Sequence, residues 1–162
     1  MPTGPKVLLY LMQNFWMKQK DCLLWSWKGN ISNKMYFIIG DIGNTSTRIC
    51  LLNEDFKIIE SIIFDTKKIF NKIFINRTLK KILKKTVKKE ILFSSVVPIG
   101  FKKIKSFFKG SKYKVLEVKG LNLKKLIKIN IRNIKQVGSD RIVNSIAGKK
   151  FKNCLIIDFG TA

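Results

Sequence analysis

The sequence predicts an α/β fold built on a mixed sheet, and three observations carry that expectation. Short apolar, strand-like runs follow one another over residues 36–64 with only tight polar connections between them. From residue 66 onward, apolar residues at helical spacing alternate with further strand-like runs. An aspartate, an apolar residue, a glycine and then asparagine or threonine close two of the apolar runs, once at Asp41-Ile42-Gly43-Asn44 and again at Asp158-Phe159-Gly160-Thr161.

The elements are expected in the following order. Residues 1–34 hold all three tryptophans, Trp16, Trp25 and Trp27, and show no sustained period, while Met35 stands directly before the first strong strand. The expectation is that translation starts at Met35 and that 1–34 is a loose extension; a short amphipathic partner-binding segment is the alternative. Residues 36–40 read as a buried strand, 41–46 as a polar turn and 47–52 as a second strand. Asn53-Glu54-Asp55 make a turn and 57–64 a third strand, so the three should form an antiparallel meander. Within 66–89, Ile69, Ile73, Ile82 and Leu83, with Phe70, Phe74 and Leu79, fall at helical spacing. A strand over 91–97 is closed by Pro98, and a short helix runs through Phe107 to Gly110. Residues 113–118 form another strand. Residues 138 to about 150 read as a helix with Ile142, Val143 and Ile146 inward. Residues 154–157 read as the strand that carries the second motif. This divides the chain into an extension (1–34), a first lobe (35–153) and the opening strand and turn of a second lobe (154–162).

Composition excludes several function classes. The chain has 162 residues and 46% hydrophobic content, enough for one domain with a core. The net charge of +23 comes overwhelmingly from lysine spread along the chain among isoleucine and asparagine, as an AT-rich coding sequence would give. A dedicated nucleic-acid surface would show clustered arginine with interleaved aromatics, so a solvated lysine surface with weak, salt-sensitive attraction to polyanions is expected. Histidine is absent, which excludes Ser-His-Asp and Cys-His nucleophile systems within this chain and leaves carboxylates or lysines as candidate bases. Cys22, Cys50 and Cys154 are widely spaced; Cys50 and Cys154 lie in apolar patterns and read as buried free thiols. No apolar run approaches bilayer length and no signal peptide is evident, so a cytoplasmic location is expected.

The paired motifs suit phosphate chemistry. A glycine at the end of a strand, Gly43 or Gly160, lets backbone approach an anion closely, and the following polar residues supply hydroxyl, amide and N–H donors. Asn44, Thr45 and Ser46 are candidate phosphate contacts, Asp41 a candidate to hold magnesium through water, and Thr161 a contact from the opposite side. Two such turns suggest a nucleotide gripped between two similar lobes. Val137-Gly138-Ser139-Asp140-Arg141 opens a helix with an acid beside an anion-ready terminus. Asp140 could deprotonate a hydroxyl and Arg141 could bind a carboxylate or phosphate. The competing reading is an acid that complements the helix dipole beside a solvated arginine.

Asp41 to Ser46, Ser94-Ser95-Val96-Val97-Pro98, Gly138 to Arg141 with Asn144, and Asp158 to Ala162 resemble, in order and spacing, the motifs of type III pantothenate kinases. That family belongs to the actin-like and sugar-kinase phosphotransferase superfamily. The resemblance covers 35–162, roughly the N-terminal half of such an enzyme. It implies an actin-like (ribonuclease H-like) lobe, the first of two, and ATP-dependent phosphorylation of pantothenate to 4′-phosphopantothenate, the first step of coenzyme A biosynthesis. It also implies Mg2+, a monovalent cation (K+ or NH4+) and a homodimer. By resemblance, Asp41, Ile42, Gly43, Asn44, Thr45, Ser46, Thr47 and Arg48 form the ATP-binding stretch. Gly138, Ser139, Asp140 and Arg141 form the pantothenate-binding segment, with Asp140 as proton acceptor. Asp158 would be the monovalent-cation ligand and Thr161 an ATP contact.

Two departures from the family pattern carry expectations of their own. Ile131 and Ile134 stand where the family usually has a tyrosine and a proline, so weaker hold on the substrate is expected. The second lobe barely begins by Ala162, so a truncated and inactive form is expected. Two rival classes are a non-catalytic module on the same fold, against which the three carboxylates Asp41, Asp140 and Asp158 argue, and a basic nucleic-acid binder.

Overall fold

The computed structural model describes residues 36–83, 87–123, 127, 128, 130, 131, 133, 136–149, 151 and 155–157. Its centre is a five-stranded sheet. Strands β1 (Tyr36–Ile42), β2 (Ser46–Leu52) and β3 (Ile58–Asp65) pair antiparallel as the expected meander, and β4 (Val87–Ser95) and β5 (Lys114–Glu117) then add in parallel on the other side of β1. The order is β3-β2-β1-β4-β5, which makes β1 the central strand. The chain is therefore α/β with a mixed sheet, as its sequence predicts.

Helices cover both faces. On one face α1 (Lys72–Ile82) and α2 (Pro98–Phe107) bury Ile75, Leu79, Ile82 and Ile104 against Ile38, Ile42, Ile49, Ile91 and Phe93. On the other, α3 (Ser139–Gly148) buries Ile142, Val143 and Ile146 against Phe37, Ile39, Cys50, Leu52 and Leu92. Alternation of side chains along each strand assigns these two sets to opposite faces. Gly40 is required by the packing. A methyl group there would stand 2.0 Å from Cε1 of Phe93, its register partner on β4, whose ring lies against the bare backbone.

Three expectations are corrected. Asp41 and Ile42 belong to β1 rather than to the turn, because the ladder with β2 and β4 continues through both residues. The expected single helix from 66 is split into a 3-10 turn (Thr66–Phe70) and α1, and 87–89 are strand. Asn71 restarts the helix by accepting the Phe74 N–H at 3.0 Å. This resets the helical phase. Ile75, Thr78, Leu79 and Ile82 then face the core, whereas Ile73 is 82% exposed and Phe70 is exposed as well. Residues 155–157 show no regular structure and are exposed, with no strand beside them among the described residues; Cys154 lies outside those residues. The remaining boundaries shift by a few residues, and Pro98 occupies the first turn of α2, where its missing N–H costs nothing.

Candidate active site

The β1–β2 connection is a tight hairpin at residues 43–45. The Gly43 N–H donates to the Ser46 carbonyl at 3.0 Å, and Asn44, Thr45 and Ser46 are exposed. At its base, the Val96 N–H donates to the Ile42 carbonyl at 3.0 Å, which ties the end of β4 to the end of β1. From beneath, Thr66 holds the turn: its hydroxyl donates to the Gly43 carbonyl at 2.7 Å and its N–H to the Thr45 carbonyl at 2.9 Å. The Thr47 hydroxyl lies 3.0 Å from that of Thr66. Because the Thr66 proton is used on Gly43, Thr47 is the donor in this pair. Thr47 is fully buried, so its side chain faces the fold rather than the surface of the turn.

Asp41 sits on the central strand, directly opposite Arg48 on β2 and in register with Ser94 on β4. Strand alternation puts Asp41, Arg48 and Ser94 on the face that α3 covers, together with Ile39, Cys50 and Leu92. Burial pushes the Cys50 thiol up, its contact with Ser61 and the nearby Arg48 charge draw it down, and Asp41 raises it.

The N-terminus of α3 comes to the same end of the sheet. A methyl group on Gly138 would stand 2.2 Å from Oδ1 of Asp140 and 3.6 Å from Cγ1 of Val96, so the Asp140 carboxyl folds back over Gly138 beside the end of β4. Gly138 is the N-cap and offers no side-chain cap, which leaves Asp140 as the acid of the first turn. Among the described residues, Oδ1 of Asp140 and Oγ of Ser94 are buried polar atoms without a hydrogen-bond partner. Buried polar atoms of this kind have room in their hydrogen-bonding capacity for a water or a ligand group. Ser139 is fully buried and donates its hydroxyl to Glu117 at the end of β5, while Arg141 is exposed.

The fold thus brings Asp41, Gly43, Asn44, Thr45, Ser46 and Arg48 to one end of the sheet with Gly138, Ser139 and Asp140. Asp158 and Thr161 lie outside the described residues, as does Ile134; Ile131 is exposed. Thr66 and Glu117 were missed at the level of sequence. Each is a single polar residue at a strand end whose partner lies more than twenty positions away, and no local pattern could have singled it out. Among the described residues, no group of three or more histidine, cysteine, aspartate or glutamate side chains is gathered for a metal, and no helix is long and apolar enough to cross a membrane.

Residues 37–162 match the family model described as type III pantothenate kinase. The protein of that name from Pelagibacter ubique is 50% identical over 128 residues, covering 77% of this chain and 51% of the relative. The one from Citrifermentans bemidjiense is 46% identical over 80 residues, 46% of this chain and 30% of its own. The one from Desulforapulum autotrophicum is 31% identical over 135 residues, 77% of this chain and 50% of its own. The chain spans about half the length of the Pelagibacter ubique and Desulforapulum autotrophicum relatives. A solved Bacteroides thetaiotaomicron protein with an actin-like ATPase fold overlaps loosely, at 10% identity and a TM-score of 0.38, over 68% of this chain and 38% of its own. On the family match and the shared identity, the chain belongs to the type III pantothenate kinase family.

Proposed function

We propose that this chain supplies the first lobe of an enzyme that transfers the γ-phosphoryl group of ATP to the primary hydroxyl of pantothenate, giving 4′-phosphopantothenate and ADP. The observation that carries the reading is the meeting of the Asp41–Ser46 strand end and the Asp140 helix terminus at one end of the sheet, on the face shared by Asp41 and Ser94.

In this reading, the exposed 44–46 turn holds the polyphosphate through backbone N–H and side-chain donors, and Arg48 opposite Asp41 adds positive charge. Gly138 to Arg141 hold the acceptor, with Asp140 aimed at its hydroxyl. Asp140 takes the hydroxyl proton as the oxygen bonds to the γ-phosphorus and the bond to the β,γ-bridging oxygen breaks. ADP leaves with that electron pair, and the proton passes from Asp140 to solvent. Little covalent work falls to the protein, and positioning supplies most of the acceleration.

Asp41, a carboxylate at a strand end, would hold Mg2+ through the waters that this ion keeps. When bound, the ion neutralises charge that develops on the phosphates. Asp158 is proposed as the ligand of a monovalent cation and Thr161 as a second ATP contact. The proposal extends to a cytoplasmic homodimer.

The test is pantothenate-dependent ADP release by this chain supplied with the C-terminal half of the Pelagibacter ubique relative. Turnover that needs pantothenate and falls at least a hundredfold in Asp140→Asn, on the order of the loss expected for a positioned base, supports the reading. ADP release indifferent to pantothenate, or unchanged by the substitution, overturns it.

A further inference from the structure

Thr66 is buried and makes three contacts here, two to the candidate phosphate turn and one to Thr47 just after it. It is 4% exposed, and it stands where β3 passes into the 3-10 turn. Its N–H reaches the Thr45 carbonyl at 2.9 Å, its hydroxyl reaches the Gly43 carbonyl at 2.7 Å, and it accepts the Thr47 hydroxyl at 3.0 Å. The two captured carbonyls matter most. In a planar trans peptide, C=O and the following N–H point in opposite directions. Drawing the Gly43 carbonyl down onto Thr66 therefore points the Asn44 N–H from the opposite edge of that peptide, away from Thr66, and the Thr45 carbonyl does the same for the Ser46 N–H. Backbone N–H groups of a turn aimed to a common side suit an anion.

We propose that Thr66 is the positioning residue of this turn: by holding the Gly43 and Thr45 carbonyls it presets the Asn44 and Ser46 N–H groups toward the polyphosphate of a nucleoside triphosphate. The inference rests on the kinase reading above and adds to it a residue outside every motif of the sequence. Thr66 acts through the turn and touches no substrate. Preorganisation of this kind lowers the cost of ordering donors at the moment of binding.

The test is a titration of the chain, supplied with the C-terminal half of the Pelagibacter ubique relative, with Mg-ATP, read from the backbone amide NMR signals of Asn44, Thr45 and Ser46. This readout separates binding at the turn from diffuse attraction to surface lysines. Wild type is expected to show saturable shifts at these amides. Thr66→Val keeps the β-branched shape and loses the hydroxyl, and its Kd should rise about tenfold; Thr66→Ser, which restores the hydroxyl, should return to within about twofold of wild type. Should the valine variant fail to give a folded spectrum, Thr66→Ala breaks the same side-chain bonds without adding bulk, and the same tenfold rise is expected. A valine or alanine variant that binds Mg-ATP as wild type does overturns the inference alone. A serine variant as weak as valine also overturns it, since the loss would then follow packing rather than the hydroxyl. Absence of any saturable shift in wild type overturns the kinase reading and the inference with it.

Discussion

The Ser139 hydroxyl donates to the Glu117 carboxylate, joining the first residue of α3 to the last residue of β5. Glu117 also accepts the Lys119 N–H at 2.8 Å through its other oxygen, so the carboxylate is held at both ends. The contact fixes where α3 begins, and Asp140 is the next residue. On the proposed kinase reading, and with the C-terminal half of the relative supplied, Glu117→Ala should release that anchor and lower pantothenate-dependent turnover by about tenfold, in line with the loss of one hydrogen bond to a charged group. The KM for ATP should stay within about twofold. Steady-state kinetics with each substrate varied in turn checks this, and an equal effect on both KM values would count against it.

Gly138 has a steric role that glycine alone can fill. Any Cβ would collide with the Asp140 carboxyl at 2.2 Å and force it to swing away. With Asp140 as the proposed base and the C-terminal half of the relative supplied, Gly138→Ala is expected to fold, with a stability change of about 1 kcal/mol, yet to lose roughly a hundredfold in turnover, because an ångström of misplacement at a reacting group is that costly. Urea unfolding alongside the kinetic assay separates the two effects. Loss of stability and rate in proportion would refute the steric account.

Gly40 answers to packing rather than chemistry. Alanine there would meet the Phe93 ring at 2.0 to 2.8 Å in the middle of the sheet, where neither strand can give way. Overpacking of this kind should cost about 2–3 kcal/mol. The double variant Gly40→Ala with Phe93→Leu should recover part of the loss, and chemical denaturation of the three proteins reports the coupling.

Cys50 supplies a pH signature. Burial raises its thiol above its ordinary value of 9.0, so the unfolded chain gives up this proton at a lower pH than the folded one. The sign follows from linkage: the unfolded state binds fewer protons over this window, and stability falls as pH rises above about 9.0. Cys50→Ala should lack this contribution. The difference in unfolding free energy between the two proteins, measured on either side of that pH, is expected to shrink as pH rises. A constant difference would rule the effect out.

Much of this was legible in the sequence because the relevant signals are local. The meander showed in runs of Ile and Leu broken by tight turns, and the inward face of α3 showed in the spacing of Ile142, Val143 and Ile146. The candidate turn was legible as one aspartate, one glycine and three polar residues at a strand end. What escaped was non-local or depended on phase. Thr66 and Glu117 act across the sheet on partners far along the chain. Ile73 was misjudged because the Asn71 cap restarts the helix and turns it to solvent, a reset that apolar spacing over 66–89 does not register. Asp41 was assigned to the turn because its polarity resembles that of the residues after it; the ladder on both sides of β1 keeps it in the strand.

The position of Asp41 on the central strand has a mechanical consequence. β1 is gripped by β2 on one flank and β4 on the other, and the Val96 N–H fastens its end. The backbone that carries the Asp41 carboxylate is held on both flanks and moves with the sheet. In the proposed kinase, a closing motion would bring groups toward Asp41, with the strand as the fixed jaw.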